Sequence, residues 1–178
     1  SSELQSFALE DGSVVELDAY STLEISFSDN SRKTNILKGQ ALFQVIKNSR
    51  PFIVQSGTHK VSVLGTLFTV KSFHEKDLEV KVKEGLVKVE VSTELGEAGE
   101  VFLKENQAVT WDHQTKQLLK KEFNVEDDFA LWKQHRAKFN EVSLKEFFHE
   151  FQRYHNFEFA FNDPSLKELS VSGSFNTN

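Results

Sequence analysis

The sequence contains no cysteine, which excludes disulfides, a thiol nucleophile and cysteine-based zinc sites. Methionine is missing as well, and the chain opens in mid-phrase at "SSELQSFALEDGS", so it reads as a piece of a longer protein. No run approaches the roughly eighteen apolar residues that cross a bilayer, and no short apolar segment follows a basic start as in a secretory leader. The piece in hand is therefore expected to be soluble. An excess of basic residues is lacking too. With a net charge of -6 and a pI near 5.5, the chain offers no concentrated positive field to a nucleic-acid backbone. The densest basic segment, "KQHRAK" at 133–138, is flanked by "EDD" at 126–128 and by Glu141, and reads as a solvated helix face.

What the sequence has is alternation. Val15, Leu17, Ala19, Leu23, Ile25 and Phe27 hold odd positions with polar residues between them, the period of strands with one buried face. In "ILKGQALFQVIK" (36–47), Ala41, Phe43 and Val45 point one way and Leu42 and Ile46 the other, which implies burial on both sides. In "LEVKVKEGLVKVEVS" (78–92) the inward set changes parity between Val82 and Val87, so the chain must turn or bulge at Glu84–Gly85. "VSVLGTLFTVKSF" (61–73) reads as a strand with a glycine in its middle. A bulge or a tight backbone approach is predicted at Gly65, with Thr66 as a small filler beside it. Further strand candidates in "RPFIVQSG" (50–57) and "VFLKENQAVTW" (101–111), with turn residues between and no fixed repeat, indicate a sandwich-like or solenoid-like all-β domain.

The character changes after about Lys121. "VEDDFALWKQHRAKF" (125–139) suggests a short helix with acidic residues at its start. A second helix begins at Ser143, where Ser143 and Glu146 form a capping box and Val142 and Phe147 stand in hydrophobic-staple positions. Leu144, Phe147, Phe148, Phe151 and Tyr154 form its apolar stripe, and Asn156 is a candidate left-handed cap. "FEFAF" (157–161) alternates like a strand, "NDPS" (162–165) turns, and "LSVSGSF" (169–175) gives a last strand. The expected fold is mainly β: an all-β domain at 1–121, a connecting helix or linker at 122–138, and a small, incomplete β-α-β-β domain at 139–178.

Catalytic and metal chemistry find little footing. His149 and His155 are six apart, not at the helical spacing that brings two ligands to one face, and His59, His74 and His113 fall at predicted strand ends or turns, as surface histidines do. No nucleophile elbow of the G-x-S-x-G kind occurs. "DGS" at 11–13 supplies hairpin-turn residues, and the scattered glycines form no phosphate-cradling loop before a helix. No catalytic residue, metal ligand or cofactor is predicted. Most of the seventeen phenylalanines, such as Phe43, Phe52 and Phe68, are expected in the core.

Five phrases carry a resemblance: "LEDGSVVELDAYSTLEISF" (9–27), "LKGQALFQVIKNSRPFIV" (37–54, which holds two), "VSVLGTLFTV" (61–70) and "VKVKEGLVKV" (80–89). They are similar, in order, to the DGS, G-x-A-x-F-x-V, RPF-x-V, GT-x-F-x-V and V-x-EG-x-V elements of the FecR family, inner-membrane anti-sigma regulators of Gram-negative cell-surface signalling. The tail from Trp132 through "VSGSF" resembles the family's C-terminal extension, which is itself similar to the secretin and TonB N-terminal signalling domain.

The resemblance implies a non-enzymatic periplasmic sensor that binds the signalling domain of a TonB-dependent outer-membrane transporter, in signalling that serves iron or nutrient uptake. It also implies an ECF sigma factor partner and a single membrane anchor, both served by segments outside this sequence. The predicted docking element is the last strand, Val171, Ser172, Gly173, Ser174 and Phe175, by β-augmentation. The alternative is a carbohydrate- or envelope-binding module with Trp111 and Tyr20 as stacking platforms.

Overall fold

A computed structural model describes residues 4–72, 78–93, 96–112, 115–155 and 157–177. The chain divides into two units, one running to Phe129 and one starting at Ala130.

Among its described residues the first unit contains twelve strands: β1 (Gln5–Ala8), β2 (Val14–Leu17), β3 (Thr22–Ser28), β4 (Ser31–Gln44), β5 (Phe52–Ser56), β6 (His59–Val63), β7 (Leu67–Ser72), β8 (Leu78–Glu84), β9 (Val87–Thr93), β10 (Gly96–Leu103), β11 (Gln107–Asp112) and β12 (Gln117–Glu122). They make one nearly closed, barrel-like sheet whose two halves share the long strand β4. One half runs β1-β2-β4-β7-β8-β11-β12 and the other β3-β4-β5-β6-β9-β10. The start of β4 pairs in parallel with β5, and its end pairs antiparallel with β7. The parallel pair is possible because the chain leaves the second half, runs through the first as the end of β4, and returns over 45–51. That detour supplies the long crossover parallel neighbours need.

Alternation places Val15, Phe43, Phe52, Val61, Phe68, Val80 and Val89 inside with no solvent exposure. Phe43 stacks on Phe68 with ring centroids 5.2 Å apart and meets Phe52 edge-on at 5.9 Å. Burying each such side chain contributes roughly 1.5–3 kcal/mol before entropy is counted. The pattern overreaches at Ile25 and Ile46, which are half exposed.

The glycine of 61–73 interrupts no strand: β6 and β7 lie in different halves of the sheet, and Leu64–Thr66 carries the chain across. A Cβ on Gly65 would stand 2.6 Å from Lys47 Cα, so the predicted tight backbone approach is present. The ladder of β7 and β8 shifts register beside it, between Leu67 and Phe68. Gly85 makes the next crossing, from β8 to β9, at φ +90, where a Cβ would come 2.9 Å from the Gly65 carbonyl oxygen and 2.7 Å from the Thr66 methyl. The parity change seen in the sequence is this passage between halves, and the two strands it joins do not pair with each other. Glycine is required at both arches because successive crossings stack backbone on backbone.

The DGS phrase forms the β1–β2 turn. Asp11 accepts from the Ser13 amide at 2.9 Å and the Ser13 hydroxyl at 2.8 Å, and it pairs with Arg32 at 2.8 Å. Arg32 is buried, donates also to the Ile46 and Arg50 carbonyls, and lies over the Phe52 ring. Asp11 thus ties the turn to Arg32, and the Ser13 hydroxyl ties it to the Ile46 amide, from which it accepts at 3.1 Å; both roles are structural.

Two expectations beyond Lys121 need correction. The helix expected over 125–139 is only α1 (Val125–Asp128), in the first unit, and a 3-10 turn at Leu131–Gln134, in the second. His135 is left-handed (φ 53), and strand β13 (Arg136–Ser143) begins at once, so "KQHRAK" is solvated but not a helix face. Pairing with β14 (Ser170–Asn176) decides this, overriding local helix propensity. "FEFAF" forms no strand either. Its burial alternates because Phe157, Phe159 and Phe161 gather around Phe148, while its backbone joins no ladder.

Candidate docking interface

The second unit is small: the β13–β14 ribbon, α2 (Leu144–Phe151), and a 3-10 turn at Pro164–Glu168. Helix α2 starts where the sequence predicts. The Ser143 hydroxyl accepts from the Glu146 amide at 3.2 Å, and the Glu146 carboxylate accepts from the Ser143 amide at 3.0 Å. Tyr154 lies beyond its end, and Asn156 falls outside the described residues. One face of the ribbon packs on this helix through Phe139, Phe147, Phe151 and Phe175, with Phe147–Phe175 and Phe139–Phe147 centroids both 4.9 Å apart. Phe139 is buried, whereas Phe147, Phe151 and Phe175 remain half-buried.

The opposite face carries Ser170, Ser172 and Ser174 on β14 and Arg136 and Lys138 on β13, all exposed. The Arg136 guanidinium reaches across to the Ser174 hydroxyl at 3.1 Å, and the Ser172 hydroxyl accepts from the Glu141 amide at 2.8 Å.

Two backbone bonds set the phase of the ladder. The Thr177 amide donates to the His135 carbonyl at 2.8 Å, and the Leu144 amide to the Leu169 carbonyl at 2.7 Å. Bonded and non-bonded pairs alternate in antiparallel strands. Ala137–Phe175, Phe139–Gly173 and Val142–Val171 are therefore the bonded pairs, and Ser170, Ser172 and Ser174 turn their amides and carbonyls to the outer edge. No other strand among the described residues pairs with that edge.

The predicted set thus splits by parity. Val171, Gly173 and Phe175 spend their backbones on β13 and face the helix, and the absence of a Cβ on Gly173 leaves room for the Phe175 ring, 3.0 Å from where that atom would lie. Ser172 and Ser174 hold the open edge. Sequence reasoning missed Ser170, Arg136 and Lys138. The parity of "SVSGS" pointed to the first; the other two needed knowledge that "RAK" pairs with it.

The first unit offers other clusters, each with a structural reading. His59 is buried in the core, not on the surface, with its ring 5.9 Å from Trp111. Trp111 is itself 4% exposed, so it is no stacking platform, although Tyr20 is exposed. His74 and His113 lie outside the described residues. Lys81 bridges Glu79 and Asp128 at 3.3 and 3.0 Å, joining the 123–129 segment to β8. Burial pushes the Glu79 carboxyl up, but the charges of Lys81, Lys71 and Lys121 outweigh it and hold the group below the usual range. Burial likewise lowers Lys81, and Glu79 and Asp128 outweigh that to raise it. Among the described residues no group of three metal-ligating side chains assembles.

The family description "FecR protein" matches residues 1–88, and "FecR, C-terminal" matches residues 136–178. The chain belongs to the FecR family. The first match takes in the DGS turn and both arch glycines of this FecR chain, and the second begins at the first residue of β13. Two crystal structures of a candidate anti-sigma factor from Parabacteroides distasonis are similar to it, at 25% and 26% identity with TM-scores of 0.86 and 0.85. Each alignment covers 99% of this chain and 82% of the other. No curated protein matches it. FecR is a non-catalytic family of signalling sensors and regulators. No helix among the described residues of this member is long and apolar enough to cross a membrane.

Proposed function

We propose that this FecR chain is the periplasmic sensor part of an inner-membrane anti-sigma regulator, and that it receives the N-terminal signalling domain of a TonB-dependent transporter through its second unit. The liganded state of the transporter is relayed in this way to an ECF sigma factor bound elsewhere on the regulator. The observation that carries the reading is the open edge of β14: Ser170, Ser172 and Ser174 present backbone donors and acceptors with no strand beside them, on a unit matched by the family's C-terminal description. An edge of this kind accepts an incoming strand, with main-chain bonds supplying affinity. The similarity to a candidate anti-sigma factor over nearly the whole chain supports the regulatory class. The carbohydrate-binding alternative loses weight with Trp111 in the core.

The chain, immobilised and exposed to envelope extract, is expected to capture a transporter signalling domain identified by mass spectrometry. A calorimetric titration with that domain should then weaken on Ser172→Pro, which removes an edge donor and keeps the backbone ladder to β13, the Glu141 amide losing only its side-chain acceptor. Unchanged affinity in a folded Ser172→Pro variant would exclude this edge as the docking element.

A further inference from the structure

We infer that the strand received at the β14 edge is acidic and two-faced, with carboxylates alternating with apolar side chains; this rests on the edge docking proposed above. The ribbon has two unlike faces, and a strand added to β14 continues both of them. On the helix side it meets the layer of Phe147, Phe151 and Phe175, whose rings are half-buried and leave apolar surface to be covered. On the other side it meets Arg136 and Lys138, exposed cations that stand directly across β13 and β14 from Asn176 and Ser174.

The serines of β14 are what let those cations act beyond their own neighbour. Being short, they leave the outer face low, and the Arg136 guanidinium already lies over β14 against the Ser174 hydroxyl. The next strand position is one step of about 4.8 Å further on, within the span of an arginine or lysine side chain. Opposite charges on neighbouring strands attract and like charges repel, so a carboxylate there is favoured and a lysine disfavoured. Glu141 is the acidic residue of the two strands and sits where its amide meets the Ser172 hydroxyl. The favoured place for a partner carboxylate is accordingly opposite Ser174, away from Glu141.

The test uses the isotope-labelled chain and two synthetic capped peptides, Thr-Glu-Val-Glu-Val-Thr and Thr-Lys-Val-Lys-Val-Thr, followed by amide shifts and amide exchange in NMR. The glutamate peptide is expected to shift and protect the amides of Ser170, Ser172 and Ser174. At low salt it should bind about tenfold more tightly than the lysine peptide. The Arg136→Glu/Lys138→Glu double variant should reverse that preference, and the milder Arg136→Gln/Lys138→Gln pair should abolish it with the spectrum still dispersed. Equal binding of the two peptides, or a preference that neither pair of changes alters, overturns the acidic assignment and leaves edge docking standing. If neither peptide perturbs the three serine amides, the edge itself is not a docking element and both readings fall.

Discussion

In the first unit Val61, Val80, Val82 and Val89 are wholly withdrawn from water, and three phenylalanines lock ring to ring between the halves of one sheet. In the second unit α2 contains no buried residue, and its Phe147, Phe148 and Phe151 each keep part of their surface in solvent. The difference sorts the two by task. A dry aliphatic core that transmits strain suits a scaffold, whereas a thin aromatic layer under a two-stranded ribbon opens at lower cost and can reshape around a partner. A mutation in the first unit should cost global stability, and one in the second should be felt locally.

The largest effect is expected from Phe43→Ala. Its ring is fully buried between Phe52 and Phe68, so truncation should cost about 3–5 kcal/mol. Urea unfolding of the first-unit transition measures it. A cost below about 1 kcal/mol would show that the core collapses around the gap, and would erase the contrast between the units.

Arg32→Met comes next, at about 3 kcal/mol, because it strands a buried carboxylate and the Ile46 and Arg50 carbonyls. Its pH dependence gives a second readout. Burial alone would raise the Asp11 carboxyl, but the Ser13 amide, the Arg32 guanidinium and the Ser13 hydroxyl outweigh it and hold the group below the ordinary range. A carboxyl lowered by folding contributes stability that is present above its unfolded value and lost as pH falls through the folded one. The deficit of the variant against the parent should therefore be widest near neutral pH and narrow in acid. A deficit independent of pH would mean that Arg32 acts by packing on Phe52 and not through Asp11.

Much of this contrast is readable in the chain itself. The odd and even runs of valine name the inward face of β8 and β9, and the Ser143–Glu146 box marks the start of α2, because both are local patterns that neighbours along the chain enforce. Gly65 announces a close approach, yet only the fold says that the approach is to Lys47. What stays hidden depends on partners distant in sequence. Arg32 gives no sign that it will be buried on Asp11, twenty-one residues away. "RAK" looks helical until β14 claims it, and "FEFAF" alternates without a ladder because alternation reports which side faces a core, not whether a strand lies alongside. The open edge of β14 was half visible for the same reason: the parity of "SVSGS" is local, but which parity points outward is set by bonds to β13.

Phe147→Ala tests the second unit. Its ring touches Phe139, Phe151 and Phe175, but it is only half-buried, so about 2 kcal/mol is expected, below the range for a fully enclosed phenylalanine. Hydrogen exchange should rise throughout β13 and β14 and stay unchanged in β7 and β8. A parallel rise in β7 and β8 would show that the two units unfold together and that the second is no softer than the first.

The smallest effect, about 1 kcal/mol, is expected from Ser143→Ala. Helix α2 has eight residues, too few to be stable alone, so it depends on its cap and on the aromatic layer beneath. Removing the hydroxyl frees the Glu146 amide and loosens the return bond from the Ser143 amide to the Glu146 carboxylate. Exchange should accelerate first at Glu146 and then along the helix, and Ser143→Asp, which keeps an acceptor at the cap, should restore most of the protection. If alanine leaves the Glu146 amide as slow as before, the helix is held by its phenylalanines alone. The second unit would then be a firmer body than its half-exposed core suggests, and less able to reshape around an incoming strand.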